Sequence, residues 1–100
     1  MSFNIMAETE ENVLLQPAAH VCTDEMEVQR LANNQQLREM AKALAEFKPT
    51  RHCFIMDHSV QVKVLEKQHS YIKFSHQEAV YYTFLDNLST ATQPVTSVTP

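Results

Sequence analysis

Histidine and cysteine are the residues of this sequence that could bind a metal. There are five histidines and two cysteines among the 100 residues. His20 lies two residues before Cys22, but the pair is not part of a Cys-x-x-Cys or His-x-x-x-His motif. His52 adjoins Cys53, and on a strand these side chains would point to opposite faces and could not readily share one ion. The sequence therefore predicts no metal site, and it offers no cofactor motif.

A cysteine nucleophile needs a neighbouring base and hydrogen-bond donors for the oxyanion. Cys53 with His69 or His76 is the pairing that the composition offers. However, Cys53 begins the apolar run 53–56, and burial in apolar surroundings keeps a thiol inert. We therefore predict no catalytic residue and a protein that is not an enzyme.

The first residues show neither the basic start nor the apolar stretch of a secretory signal. No run of the chain approaches the roughly 18 apolar residues of a membrane-spanning helix. We therefore expect a cytoplasmic protein without membrane contact. In that compartment Cys22 and Cys53 would be reduced. The absence of glycine also removes the phosphate-binding loops of common nucleotide sites.

Basic residues are concentrated in the middle of the chain. All eight Lys and Arg lie between positions 30 and 73, where four acidic residues oppose them and leave a net charge of +4. This segment could contact the phosphates of RNA, or it could simply be a solvated face. Tyr71 could stack on a base or fill a pocket of a protein partner, and cross-strand packing is the competing interpretation. The predicted partner-binding residues are Arg51, Lys63, Lys67, Tyr71 and Lys73.

Two strands and a helix are predicted between residues 59 and 88. Apolar residues alternate with polar ones in 59–66 and again in 70–74, which indicates a hairpin with one buried face. Ser75 and Glu78 then have the spacing of a helix-capping box. The apolar stripe of the following helix would consist of Tyr81, Phe84, Leu85 and Leu88.

An earlier helix is predicted from residue 24 to residue 47. Asp24 and Glu27 suit its beginning, and Pro49 ends it. Its apolar positions form two arcs separated by residues 33–36, so the helix is either kinked or split near Asn33, or its halves face different partners. Apolar surface beyond the sheet would pair with a second copy. The predicted dimer interface comprises Val28, Leu31, Leu37, Met40 and Leu44.

The whole pattern predicts a small single α+β domain at residues 24–88. Its order is helix, three-stranded antiparallel sheet and helix, with the first strand in 51–56 and an optional N-terminal edge strand at 13–15. Residues 1–23 would be an acidic, loosely ordered segment, and residues 89–100 a flexible tail. The leading hypothesis is a small non-enzymatic regulatory protein that binds another macromolecule as a homodimer, such as an inhibitor or accessory subunit of a larger enzyme or complex. The alternative is an RNA-binding module.

Overall fold

The structure is a computed structural model that describes residues 11–89. These residues form two helices and one antiparallel sheet of six strands, followed by a 3-10 turn at Leu85–Asn87. The helices are α1 (Glu25–Ala32) and α2 (Gln35–Phe47). The strands are β1 (Glu11–Leu15), β2 (Ala19–Cys22), β3 (Cys53–Met56), β4 (Val60–Lys67), β5 (Tyr71–His76) and β6 (Ala79–Phe84). The predicted α+β class is confirmed, but the sheet has six strands where three were expected.

Strands β1 and β2 act as one long bent strand. β1 pairs with β4 and β2 pairs with β3 in one continuous register, because Leu15 lies opposite Val60 and Ala19 lies opposite Met56. Ala18 has a φ of 64° and marks the bend. On its other side β4 pairs with β5, β5 pairs with β6, and β6 pairs with β2. These pairings curl the sheet back on itself around an enclosed core.

The curled sheet separates two apolar cores. Side chains alternate between the two faces of a strand, so β2 and β5 each supply residues to both cores. The inner core, which the sheet encloses, contains Leu15, Ala19, Val21, Val62, Val64, Ile72 and Phe74. The outer core, which lies between the sheet and the helices, contains Cys22, Val28, Leu31, Cys53, Tyr71 and Phe84. The predicted strands β4 and β5 are confirmed, with Val62, Val64, Ile72 and Phe74 in the inner core, but the other face of β5 is not fully exposed as expected, since Tyr71 is buried there.

Of the two alternatives for the first helix, the structure has the split near Asn33. α1 ends at Ala32, and α2 begins two residues after Asn33. The side chain of Asp24 caps α1 by accepting a hydrogen bond from the backbone N–H of Glu27 at 3.1 Å. Asn34 caps α2 in the same way, since its side-chain oxygen accepts from the backbone of the third residue along at 3.0 Å. Each half therefore begins with its own capping side chain.

The predicted helix from Ser75 to residue 88 is wrong. His76 lies opposite Ala79 at the end of a hairpin, and the two residues between them both have positive φ, 54° at Gln77 and 70° at Glu78. A two-residue hairpin turn with positive φ at both positions matches the right-handed twist of the strands. Residues 79–84 pair with both β5 and β2, and their β-branched and aromatic side chains suit a strand. Cross-strand pairing outweighs the local capping signal.

Much of the segment expected to be loosely ordered belongs to the sheet. β1 contains the predicted edge strand at residues 13–15 and lies at one end of the strand order. β2, which the sequence did not predict, lies between β6 and β3. Residues 1–10 and 90–100 lie outside the described residues, and with them the rest of the predicted N-terminal segment and nearly all of the predicted tail.

Candidate functional site

His20 lies at the centre of the candidate site. The alternation of β2 turns His20 and Cys22 away from the inner core and towards the helices. The side chain of His20 is buried, and its ring centroid lies 5.4 Å from that of Phe84. Neither ring nitrogen has a hydrogen-bond partner among residues 11–89. An unsatisfied buried polar group costs about 1 to 3 kcal/mol, so this pair of nitrogens requires an explanation.

The surroundings of His20 keep its imidazole neutral. The pKa of His20 is lowered from its ordinary 6.5 to about 4, and burial is the largest cause. The nearby cations of Lys42 and Arg38 also lower this pKa, whereas the carboxylates of Glu27 and Glu46 raise it by smaller amounts. A neutral imidazole retains a lone pair on one ring nitrogen, so His20 can accept a hydrogen bond or bind a metal.

Cys22 and Cys53 meet beside His20. They lie directly opposite each other in the β2–β3 ladder, with Cα atoms 4.0 Å apart, and they form a disulfide. The expectation of two reduced cysteines is therefore wrong for this structure, because the strand register places the two buried sulfur atoms within bonding distance. The ligand atoms of His20, Cys22 and Cys53 all lie within 4.8 Å of one another. Two strands thus bring together three side chains that can bind a metal.

A cleft of about 280 Å³ adjoins His20 between α2 and the 3-10 turn. Arg38 crosses this cleft, donating a hydrogen bond to the carboxylate of Asp86 at 2.9 Å. Its guanidinium group also lies 4.7 Å from the ring centroid of Phe84. Because two cations and two carboxylates line the cleft, their charges largely cancel. The lining residues are Gln16, His20, Arg38, Glu39, Lys42, Phe84, Asp86 and Asn87.

Tyr71 does not lie on the surface, where it would have to be to stack on a base or fill a pocket of a partner. Its side chain is buried between the sheet and α1. The hydroxyl donates a hydrogen bond to Glu25 at 2.7 Å and accepts one from the side chain of Gln29 at 3.0 Å. The ring makes an edge contact with Tyr82, at a centroid distance of 6.3 Å. In this conformation the tyrosine packs within the fold, which is the competing interpretation of the sequence.

The four basic residues of the predicted partner-binding surface are only partly brought together. Lys63 and Lys73 lie on the outer face of the β4–β5 pair, because the inward positions of these strands are apolar. Lys67 forms an ion pair with Glu11 at 3.3 Å. Arg51 precedes β3, at the opposite end of the β3–β4 segment from Lys67. The structure thus assembles Lys63 and Lys73 but places Arg51 elsewhere.

The five residues of the predicted dimer interface fall on two different sides of the helices. Val28 and Leu31 are fully buried against the sheet, so in this conformation their side chains cannot contact a second copy. Leu37 is partly buried in the same outer core. Met40 and Leu44 are exposed on α2. The predicted interface contains residues from both apolar arcs, because the sequence does not show which arc packs on the sheet and which one faces solvent.

Met40 and Leu44 form an exposed apolar surface together with Phe47, which the sequence analysis did not include. The exposed fractions of the three side chains are 60% for Met40, 63% for Leu44 and 87% for Phe47. Their spacing of four and three residues places them on one side of α2. The opposite side of α2 contains Ala45 and packs on the protein. We call the three exposed residues the α2 ridge.

Comparisons with known proteins give no indication of the function. No protein-family model, curated protein or solved structure matches the chain. Neither helix of the described residues is long and apolar enough to cross a membrane. The sequence contained one usable signal for the His20 cluster, namely the i, i+2 spacing of His20 and Cys22. The third member, Cys53, could be added only after the register of β2 against β3 was known.

Proposed function

We propose that this chain is a small, non-enzymatic interaction protein of the cytoplasm that forms a homodimer through the α2 ridge. The observation that carries the proposal is the exposure of Met40, Leu44 and Phe47 on one side of a single helix. Single exposed apolar residues are normal on a protein surface, but a contiguous group of large ones marks an interaction site. Methionine and phenylalanine are also enriched in protein interfaces.

A second copy is the occupant that best suits this ridge. Apolar residues spaced by four and then three positions form the narrow seam by which helices pair with each other. A second chain presents the same seam, and a two-fold axis would place each ridge against the other in an isologous contact. Alanine at position 43, which is also exposed on α2, would allow the two helix backbones to approach closely.

The non-enzymatic part of the proposal is supported by the state of the candidate nucleophile. Cys53 is buried in the outer core, where a substrate cannot reach its sulfur atom and where apolar surroundings keep a thiol inert. Action as an inhibitor or accessory subunit would then depend on surface contacts alone. RNA binding is supported less well, because Tyr71 is packed under α1 and Arg51 lies apart from Lys63 and Lys73.

Native mass spectrometry of the full chain, purified at low salt, tests the homodimer. We expect a dimer that dissociates on dilution. Leu44→Glu would place a charge in the centre of the seam and should raise the dimer dissociation constant at least 30-fold, which corresponds to a loss of about 2 kcal/mol. Leu65→Glu is the matched control, since Leu65 is exposed on β4. It should leave the dimer unchanged.

Two outcomes of this experiment would contradict the proposed dimer, and a third would favour the alternative function. A monomer at all concentrations would remove the second copy as the occupant of the ridge. An equal effect of Leu44→Glu and Leu65→Glu would place the interface elsewhere. A nucleic-acid adduct that is released when the salt concentration is raised would favour the RNA-binding alternative, because phosphate contacts weaken steeply with salt.

A further inference from the structure

We propose that His20, Cys22 and Cys53 bind one zinc ion when the disulfide between the two cysteines is reduced. The proposal is based on the convergence of three ligand atoms within 4.8 Å and on the two buried ring nitrogens of His20, which lack a partner among residues 11–89. It is independent of the α2 ridge and of the dimer. Thiolate and imidazole are the ligands that zinc takes most often in proteins.

The thiols of the proposed site arise from the disulfide by exchange with a dithiol reductant. The reductant gives two electrons and two protons, the bond between the sulfur atoms breaks, and the reductant becomes a disulfide itself. The cytoplasm proposed for this chain is a reducing compartment, in which this exchange favours the two thiols. Zinc then displaces one proton from each thiol and leaves two thiolates in the site. No net oxidation accompanies the binding of the metal.

The strand geometry suits the distances that a zinc ion requires. Tetrahedral zinc with Zn–S bonds of about 2.3 Å and a Zn–N bond of about 2.0 Å places its ligand atoms roughly 3.5 to 3.8 Å apart. Cys22 and Cys53 face each other directly across two strands, so their sulfur atoms can separate to this distance by side-chain rotation. His20 already presents its ring on the same face as Cys22.

The charge of the proposed complex favours a divalent ion such as zinc over Cu(I). Zn²⁺ with two thiolates and a neutral imidazole has no net charge, which suits a site whose three residues are at most 4% exposed. Cu(I) in the same site would leave one negative charge buried. Three protein ligands leave one of the four zinc positions for an exchangeable ligand. The cleft beside His20, with the carboxylates of Glu39 and Asp86, provides a route for the ion.

The test uses the full chain, reduced with a dithiol under anaerobic conditions and then freed of the reductant. Zn²⁺ is titrated against a chromophoric chelator, and Co²⁺ is used as a spectroscopic substitute. We expect one zinc per chain in the reduced protein, none in the oxidised protein, and thiolate-to-cobalt charge-transfer absorption. His20→Ala should weaken zinc binding by more than 100-fold, since loss of a mere hydrogen-bond partner of a zinc ligand typically costs about 10- to 100-fold.

His52→Ala is the matched control. His52 adjoins Cys53 in the sequence but does not belong to the cluster, so this variant should bind zinc like the natural chain. Equal binding by the His20 and His52 variants, or no binding by the reduced natural chain, overturns the proposal. If reduction unfolds the protein, zinc should restore its far-ultraviolet circular dichroism, but not that of His20→Ala. Failure of zinc to restore that signal also overturns the proposal.

Discussion

His20 occupies a position that is costly in the metal-free, disulfide-bonded protein. Its imidazole is 1% exposed and has two ring nitrogens without a hydrogen-bond partner among residues 11–89. Its backbone carbonyl, by contrast, accepts a hydrogen bond from the hydroxyl of Thr83 at 2.8 Å. The main chain of this residue is thus well satisfied while the side chain is not. Leucine would fill a similar volume without this cost, so the presence of histidine points to a role for the ring itself.

The lowered pKa of His20 predicts a pH-dependent stability of the disulfide-bonded protein. In the unfolded chain His20 binds a proton near pH 6.5, whereas the folded chain resists it until about pH 4. The contribution of the neutral His20 side chain to the free energy of unfolding is therefore fully present above pH 6.5. It is lost as the pH falls towards 4, and below pH 4 the free energy of unfolding no longer changes through this residue. At about 1.4 kcal/mol per pH unit, the free energy of unfolding should fall by about 3 kcal/mol over this window. Urea unfolding at pH 7.5, 6.5, 5.5 and 4 measures it.

Two variants separate His20 from the other groups that titrate in this range. His20→Leu should remove this part of the pH dependence, so that the stabilities of the natural chain and the variant diverge as the pH falls. His58→Leu should preserve it, because His58 lies exposed in the link between β3 and β4. Parallel pH profiles for the natural chain and His20→Leu would show that the buried imidazole does not control acid stability.

The β5–β6 hairpin is the element whose turn residues are least suited to their backbone. Gln77 and Glu78 both adopt positive φ, which costs about 1 kcal/mol or more for a residue with a Cβ atom. Asn-Gly is the preferred sequence for such a turn. Pairing of β6 with β5 on one side and β2 on the other holds the strained turn in place.

Substitutions at Gln77 and Glu78 test whether this segment is a hairpin turn or the start of the helix that the capping pattern predicts, because the two structures predict opposite changes in the free energy of unfolding. Glu78→Gly should raise the free energy of unfolding by about 1 kcal/mol, and addition of Gln77→Asn should raise it further. In a helix the same glycine would remove the capping carboxylate and lower the stability. Glu39→Gly, at an exposed position in the interior of α2, is the opposite control and should lower the free energy of unfolding by about 1 kcal/mol. A loss of stability in Glu78→Gly would contradict the hairpin.

Elements that depend on a pattern of neighbouring residues could be predicted from the sequence, and elements that depend on pairing between distant residues could not. The alternation in residues 59–66 and 70–74 and the cap at Asp24 are local patterns, and β4, β5 and the start of α1 lie where these patterns predict. β6 was misassigned because a local Ser-x-x-Glu pattern competed with pairing to the adjacent strand β5 and to β2, which is about 60 residues away in the sequence. The His20 cluster depends on a register between residues about 30 positions apart, which no local pattern contains.

At the scale of the whole molecule, the two cores are coupled through shared strands. β2 supplies Val21 to the inner core and Cys22 to the outer core, and β5 likewise contributes to both. The disulfide joins β2 to β3, and α2 packs on β3. Loss of either core would therefore remove one packed face from the strands that form the other. Such an arrangement favours a single cooperative unfolding transition.

Reduction of the disulfide in the presence of a chelator should lower the free energy of unfolding of the whole molecule. The cross-link closes a loop between residues separated by 31 positions, so its loss should cost about 3 to 4 kcal/mol through the entropy of the unfolded chain. Far-ultraviolet circular dichroism and tyrosine fluorescence should report one coincident transition, shifted to lower urea. The double variant Cys22→Ala and Cys53→Ala is the control and should not respond to the reductant. If the two transitions do not coincide, one part of the molecule unfolds separately from the rest, and the coupling of the two cores through β2 and β5 is refuted.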